Sequence, residues 1–212
     1  MLRSDQDPLQ KYGYSAIVCL QLHFLARIDN SCALMVDEIQ ANDKYKHFAL
    51  KERIRWSKNV LEECAARDQI IFGASTFNFC PLLTLALFLN LYYPVEKNQN
   101  GELNLFLAIG KTATQAKQKV GRHLKTKIFN SPEFKVLLDL IYELVGSHSI
   151  CKFALTRARR SGCSCDDLSV CGYWKQFKQM EDTYVDPDIP YPDTNTAAAL
   201  SIGGPIKYEV LK

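Results

Sequence analysis

The sequence lacks the hydrophobic segments that direct a chain into or across a membrane. The longest apolar run covers residues 81–89 and ends at Asn90, whereas a membrane-spanning helix needs about 20 apolar residues. Residues 1–10 are polar and contain no apolar signal core. We therefore expect an intracellular protein with no membrane partner, and we interpret the apolar run as a buried helix.

The sequence also lacks internal repeats, low-complexity segments and the C-x-x-C pairs of ordinary zinc modules. Several of its eight cysteines fall in apolar stretches, as free buried thiols do, and this favours a reducing compartment over a disulfide framework. Cys163, Cys165 and Cys171, with Cys151 and His148 nearby in sequence, leave a zinc-stabilised interaction domain as one alternative. The leading expectation is no metal and no cofactor.

What is present predicts an α+β fold that is mainly helical. The 212 residues are 47% hydrophobic, enough for one full-sized domain with a core. Apolar residues predict a buried helix over 14–27 that ends near Arg27, and a short helix over 34–39. Alternation predicts a strand over 48–58 that pairs with 69–72, which gives a small antiparallel sheet near residues 48–72.

After the predicted sheet, the sequence is expected to be mostly helical. An apolar helix is expected over 81–92 and a basic helix over 112–127. Ser131 followed by Pro132 predicts the start of a helix, because Ser is a common N-cap residue and Pro is accepted in the first turn of a helix. Further helices are expected over 147–160 and from Ser164 onward. From residue 187 Pro, Asp and Gly dominate, so residues 1–186 are interpreted as one domain and 187–212 as a C-terminal tail.

Charge is distributed unevenly, although the net charge is only +3. No acid lies between Glu102 and Glu133, or between Glu143 and Asp166. Such a basic stripe follows a phosphate backbone in DNA-binding proteins, and it is also found on ordinary solvated helix faces. The candidate DNA-binding residues in the two intervals are Lys111, Lys117, Lys119, Arg122, Lys125, Lys127, Lys152, Arg157, Arg159 and Arg160.

A set of motifs in the C-terminal half follows a recognisable order. His148-Ser-Ile-Cys151 lies on an expected helix, Gly172-Tyr-Trp174 follows, and Tyr184 comes ten residues after Trp174. This order resembles the catalytic domain of tyrosine recombinases, which carry His-x-x-Arg, then Gly followed by His or Trp, then a nucleophilic Tyr. The tail, with Asp-Pro-Asp-Ile-Pro-Tyr-Pro-Asp over 186–193, is similar to the end of Crypton-type recombinases. The resemblance covers residues 14–208.

The resemblance implies a metal-free mechanism for breaking and rejoining double-stranded DNA. Tyrosine would attack the scissile phosphate to form a 3′-phosphotyrosyl link, lysine would protonate the departing 5′ oxygen, and arginine, histidine and the tryptophan N–H would hold the non-bridging oxygens. It also implies a homo-oligomer on DNA and a nuclear location. The family's catalytic positions carry over onto Arg27, Lys58, His148, Trp174 and Tyr184.

Two departures from the family pattern are visible. Cys151 stands where the second arginine is expected and cannot supply a charged bidentate clamp, and Lys152 points about 100° away around the helix. The family's N-terminal core-binding domain is expected to be absent, because 26 residues precede Arg27. A non-catalytic DNA-binding or assembly module derived from a transposon recombinase is therefore the first alternative, ahead of the zinc-stabilised domain.

Overall fold

The structure is a computed structural model that describes residues 7–42, 46–52, 68–97, 101–134 and 146–172. Within these ranges the chain is mainly helical and carries a small three-stranded antiparallel sheet, so the predicted α+β class is confirmed. Lys58, Trp174 and Tyr184 lie outside the described residues, as do the division at residue 186 and the C-terminal tail.

Helix α1 spans Pro8–His23 and forms the centre of the main core. The Asp7 side chain accepts a hydrogen bond from the Leu9 N–H at 3.2 Å, and Pro8 occupies the first turn, where its missing N–H has no cost. The helix was expected to end near Arg27 but ends at His23. The apolar residues after it belong to a buried turn, and Arg27 is the N-cap of helix α2, Ile28–Cys32.

The sheet contains β1 (Ile39–Asn42), β2 (Lys46–Glu52) and β3 (Gln69–Phe72) in that order, and both pairs are antiparallel. The predicted pairing of β2 with β3 is confirmed, and Leu50 lies opposite Ile71. The helix expected over 34–39 is a single 3-10 turn, Val36–Glu38, followed directly by β1. A four-residue edge strand is too short to give a period that sequence reading can recognise.

Helix α3 spans Pro81–Leu91, as predicted within one residue, and packs against α1. Leu85 and Phe88 face the core and are almost fully buried. Gly13 of α1 permits this close approach, because a Cβ there would lie 2.3 Å from Ile109 Cδ1 and 3.1 Å from Phe88. The missing side chain at Gly13 thus leaves room for Ile109 and lets Phe88 of α3 lie close to α1.

The basic helix expected over 112–127 is divided into two parts. Helix α4 spans Ala113–His123, with Thr112 as its cap, and a π-helical segment continues over Leu124–Phe129. The buried positions repeat at four-residue spacing and are Ala116, Val120 and Leu124. The small apolar stripe leaves most of the helix surface to exposed polar and basic side chains.

Helices α5 (Ser147–Arg160) and α6 (Cys165–Gly172) begin where the sequence predicts. Ser131 also caps a helix start as predicted, since its Oγ accepts from the Phe134 N–H at 3.2 Å. A second, smaller core joins α5 and α6 to the end of α1 through Leu22, Leu25, Leu155 and Leu168. Among the helices of the described ranges, none is long and apolar enough to cross a membrane.

Candidate nucleic-acid interface

Arg27 lies in a tightly fixed turn between α1 and α2. Leu25 has a φ of 50°, in the left-handed region that branched and bulky residues rarely adopt. The Ala26 N–H donates to the Gln21 carbonyl at 3.2 Å, and the Arg27 carbonyl accepts from the Ser31 N–H. Because Leu25 and Ala26 are buried, the turn is held by the core, and the half-buried Arg27 is presented from a rigid support.

The first half of α5 packs directly against this turn. Gln21 Nε2 donates to the Ser147 carbonyl at 2.8 Å, and Cys151 Sγ donates to the Leu25 carbonyl at 3.3 Å. The charge of Arg27 also acts on the Cys151 thiol. The fold therefore brings position 151 close to the turn that carries Arg27.

Cys151 is a neutral, buried thiol. Burial raises its pKa to about 11, and the nearby positive charge of Arg27 opposes that rise without cancelling it. The side chain is 6% exposed and its S–H is used on a main-chain carbonyl. At neutral pH position 151 thus contributes neither a cation nor a thiolate nucleophile.

His148 lies at the exposed N-terminal turn of α5. It precedes Cys151 by three residues, so the two side chains are about 60° apart around the helix axis. The Gly146 N–H donates to Ser149 Oγ at 3.1 Å, which fixes this helix end. The partial positive charge of a helix N-terminus favours anions at such a position. His148 is thus an exposed side chain in the first turn of α5, next to Ser147, whose carbonyl contacts α1.

The basic residues of α4 and its π-helical extension lie on the surface. Lys117 Nζ is 3.8 Å from Asp29 Oδ2, and both side chains are about half-exposed. This ion pair connects α4 to α2, the helix that begins immediately after Arg27. The other basic side chains of this region are exposed, namely Lys111, Lys119, Arg122, Lys125 and Lys127.

The basic residues of α5 differ in role. Lys152 and Arg160 are exposed, and Arg157 is half-buried. Arg159 Nη1 donates to the Cys163 carbonyl at 2.7 Å and so closes the turn between α5 and α6. Arg159 therefore has a structural contact that the sequence analysis, which counted it among DNA-binding residues, did not anticipate.

Two features of this surface escaped sequence analysis. Phe153 is 51% exposed on α5, next to Lys152, and aromatic rings among cations stack on the bases of single-stranded nucleic acid. The π-helical segment Leu124–Phe129 carries Lys125 and Lys127, and π turns are frequent at functional sites. Phe153 could have been found by its helical phase, since it lies opposite the buried Leu155. The π segment has no comparable sequence signal.

The cysteines do not form a metal site in the described part of the chain. Cys163 is buried, and burial raises the pKa of the Cys171 thiol to about 12, with Cys163 and Cys151 close enough to add to the rise. Over residues 7–42, 46–52, 68–97, 101–134 and 146–172, no three His, Cys, Asp or Glu side chains are arranged to hold a metal ion. The zinc alternative, whose proposed ligands all lie in these ranges, receives no geometric support.

The geometry defines a mainly helical α+β domain whose basic helices flank an arginine-bearing turn. No protein-family model, curated protein or solved structure matches the chain.

Proposed function

We propose that the chain binds the backbone of double-stranded DNA and is a strand-exchange domain of the tyrosine-recombinase kind. Tyr184 would be the nucleophile, Lys58 the general acid, and Trp174 an N–H donor to the phosphate. The observation that carries the proposal is the contact between the turn bearing Arg27 and the helix bearing His148 and Cys151, made through the Cys151–Leu25 hydrogen bond. A DNA target also makes the nucleus the expected location.

The site is suited to hold a phosphate but is weakened as a catalyst. When tyrosine attacks phosphorus, the non-bridging oxygens gain charge and are stabilised by fixed cations and donors. Arg27 and the N-terminus of α5 near His148 supply such groups. Cys151 supplies none, since its raised pKa keeps the thiol neutral. We expect slow cleavage by the chain together with retained DNA binding.

The basic surface extends this site in two directions. Helix α5 leads away from Arg27 with Lys152 and Arg160, and the Lys117–Asp29 pair holds α4 on the α2 side. Cations on either side of a central arginine suit a polyanion that passes over the turn. These contacts would go to phosphates more than to bases, so they position the DNA without reading its sequence.

A second candidate is a non-catalytic DNA-binding or assembly module. It is favoured by the use of the Cys151 S–H inside the fold, where it donates to the Leu25 carbonyl. Both candidates predict DNA binding, and they differ in covalent chemistry. Trapping of the protein on a nicked suicide substrate supports the first, and binding without trapping, even after Cys151 is replaced by arginine, supports the second.

The test measures fluorescence anisotropy of a labelled duplex with wild type, Arg27→Ala and a matched control, Lys97→Ala. Lys97 is an exposed cation that follows α3, away from the basic helices in sequence. Loss of a charge-assisted contact costs about 1.5–3 kcal/mol, so Arg27→Ala should weaken binding at least about tenfold, and Lys97→Ala less than about twofold. Equal effects of the two substitutions would remove Arg27 from the DNA site and refute the proposal.

A further inference from the structure

The chain has a long stretch without charge that the proposed function does not use. No Asp, Glu, Lys or Arg occurs between Asp68 and Glu96, and helix α3 lies within this stretch. Apolar residues occur around the whole circumference of α3. A helix that is apolar all round is normally buried on every side.

One side of α3 is nevertheless exposed. Leu83, Leu87 and Leu91 follow each other at four-residue spacing and are 39%, 37% and 48% exposed. The opposite side, with Leu85 and Phe88, is buried in the core. Single exposed apolar residues are common in proteins, but an uninterrupted row of them marks an interaction surface.

Further exposed apolar residues flank this row in the chain. Phe79 precedes α3 and is 41% exposed, while Tyr93 and Val95 follow it and are 57% and 77% exposed. We use the name α3 face for these three residues and the three leucines, which are exposed apolar side chains of the segment 79–95. With about 200 Å² for a fully exposed aromatic side chain and about 125 Å² for Leu or Val, the α3 face exposes roughly 450 Å² of apolar surface.

We propose that the α3 face is the interface through which two copies of this chain form a dimer in the absence of DNA. The inference stands independently of the proposed function. A stable interface takes about 800 Å² from each partner, of which about 56–65% is apolar. The apolar share is therefore about 450–520 Å², and the α3 face reaches the lower end of this range when all of it is covered.

The chemistry of the face selects a second copy over other partners. A two-fold interface places the same patch on both sides, so an uncharged apolar surface is its own complement. Nucleic acid requires cations, and a helix lying on a membrane surface requires a basic polar side. Residues 69–95 contain no lysine or arginine, so this segment offers cations neither to nucleic acid nor to a membrane surface.

The spacing of the side chains also specifies how the copies meet. Leu83, Leu87 and Leu91 form one i±4 ridge, and the exposed Ala86 and Asn90 form the adjacent, lower row. The leucine ridge of one copy fits the groove beside the lower row of the other. Packing of this type crosses helices at about −50°, and it places Leu87, the middle leucine, closest to the two-fold axis.

Sedimentation velocity of the full chain without DNA, over a range of protein concentrations, tests the dimer. We expect a dimer with a Kd in the micromolar range or tighter. Leu87→Glu brings two carboxylates together at the axis and should raise the Kd by about 100-fold or more. The matched control is Val170→Glu on α6, where Val170 is 51% exposed, and its Kd should stay within about twofold of wild type.

A second variant covers the case in which Leu87→Glu fails to fold. Leu87→Cys should form a disulfide-linked dimer under copper phenanthroline and air, with oxygen accepting the two electrons and two protons, while wild type treated identically should not. A wild-type monomer at all concentrations would overturn the proposal, as would a dimer unaffected by Leu87→Glu, absence of cross-linking in Leu87→Cys, or wild-type binding to neutral lipid vesicles.

Discussion

The basic surface of α4 and α5 is positively charged, whereas the α3 face is apolar and uncharged, although helices α3 and α4 have the same length. Helix α4 buries a narrow stripe that includes Ala116 and Val120 and exposes cations. Helix α3 buries one side and exposes leucines on the other, with no charge anywhere along it. The modest net charge of +3 hides this separation. If both proposals hold, each surface meets a different partner, a polyanion for the first and an uncharged protein surface for the second.

The most severe test of the basic surface is restoration of an arginine at position 151. Cys151→Arg would add a bidentate donor next to Arg27, where the phosphate is expected. One preorganised donor changes enzymatic rates by about 10²–10³, so covalent trapping on a nicked suicide substrate should rise by about that factor. Trapping should disappear when Tyr184→Phe is added. Dimerisation through the α3 face should not change.

The control for this experiment is Cys151→Met, which adds bulk at the buried position without adding charge. Both variants lose the S–H bond to the Leu25 carbonyl, so their common effect on folding can be subtracted. Equal trapping by the two variants would mean that charge at position 151 is irrelevant. Strong cleavage by the unmodified chain that survives Tyr184→Phe would mean that the active site lies elsewhere.

The second largest expected difference between the two surfaces is how strongly their binding depends on salt concentration. The slope of log affinity against log salt is about −0.9 per neutralised phosphate, so four contacts would weaken DNA binding by roughly 100-fold between 50 and 200 mM salt. Association through the α3 face depends on apolar burial and should change less than about threefold. Anisotropy and sedimentation in the same buffers measure both. If the DNA affinity did not change with salt concentration, the basic stripe would be an ordinary solvated helix surface and not a DNA-binding site.

The sheet belongs to neither surface, and it supplies a stability test that should leave both functions intact. Glu52 ends β2 and is fully buried, and burial together with the nearby Glu38 charge holds its pKa well above the ordinary value. The folded state thus favours the protonated acid. The stabilisation that protonated Glu52 gives to the folded state is complete below the ordinary carboxyl pKa of about 4.3. It is lost as the pH rises through the higher pKa of Glu52 in the folded protein.

Glu52→Gln removes this titration. The melting temperature of the variant relative to wild type should therefore increase from pH 4 to pH 8, because only wild type loses this stabilisation as the acid ionises. Calorimetry at a series of pH values measures the difference. Glu38, 7% exposed, accepts from the Met35 N–H at 2.7 Å, so Glu38→Gln, which keeps an acceptor, is the companion variant. A constant difference across pH would show that Glu52 is charged in the folded protein.

The smallest expected effect concerns the pair that joins α4 to α2. Lys117 and Asp29 are each about half-exposed, and exposed pairs contribute about 0.2–1 kcal/mol. Lys117→Ala should lower the melting temperature by less than about 4 °C. A double-mutant cycle with Asp29→Ala gives the coupling energy. We expect Lys117→Ala to weaken DNA binding less than Arg122→Ala, because Lys117 is paired with Asp29. Equal losses of DNA affinity would show that Lys117 contacts DNA although it is paired with Asp29.

Much of the secondary structure followed from local signals. The bounds of α5, the start of α6 and the pairing of β2 with β3 were all predicted, because capping residues and side-chain periodicity act over a few residues. Strand β1 was missed because four residues carry no clear period. Helix α1 was expected to continue to Arg27, since apolar character cannot distinguish a helix from a buried turn.

The candidate site was predictable in composition but not in arrangement. The sequence alone determined which residues are basic, which are apolar, and that position 151 holds no cation. Only the tertiary structure decided that Leu25 turns the chain, that Cys151 donates to its carbonyl, and that Arg159 serves the fold. It alone also left the leucines of α3 exposed. The physical reason is that composition and periodicity are local properties, whereas burial and proximity depend on how distant elements pack together.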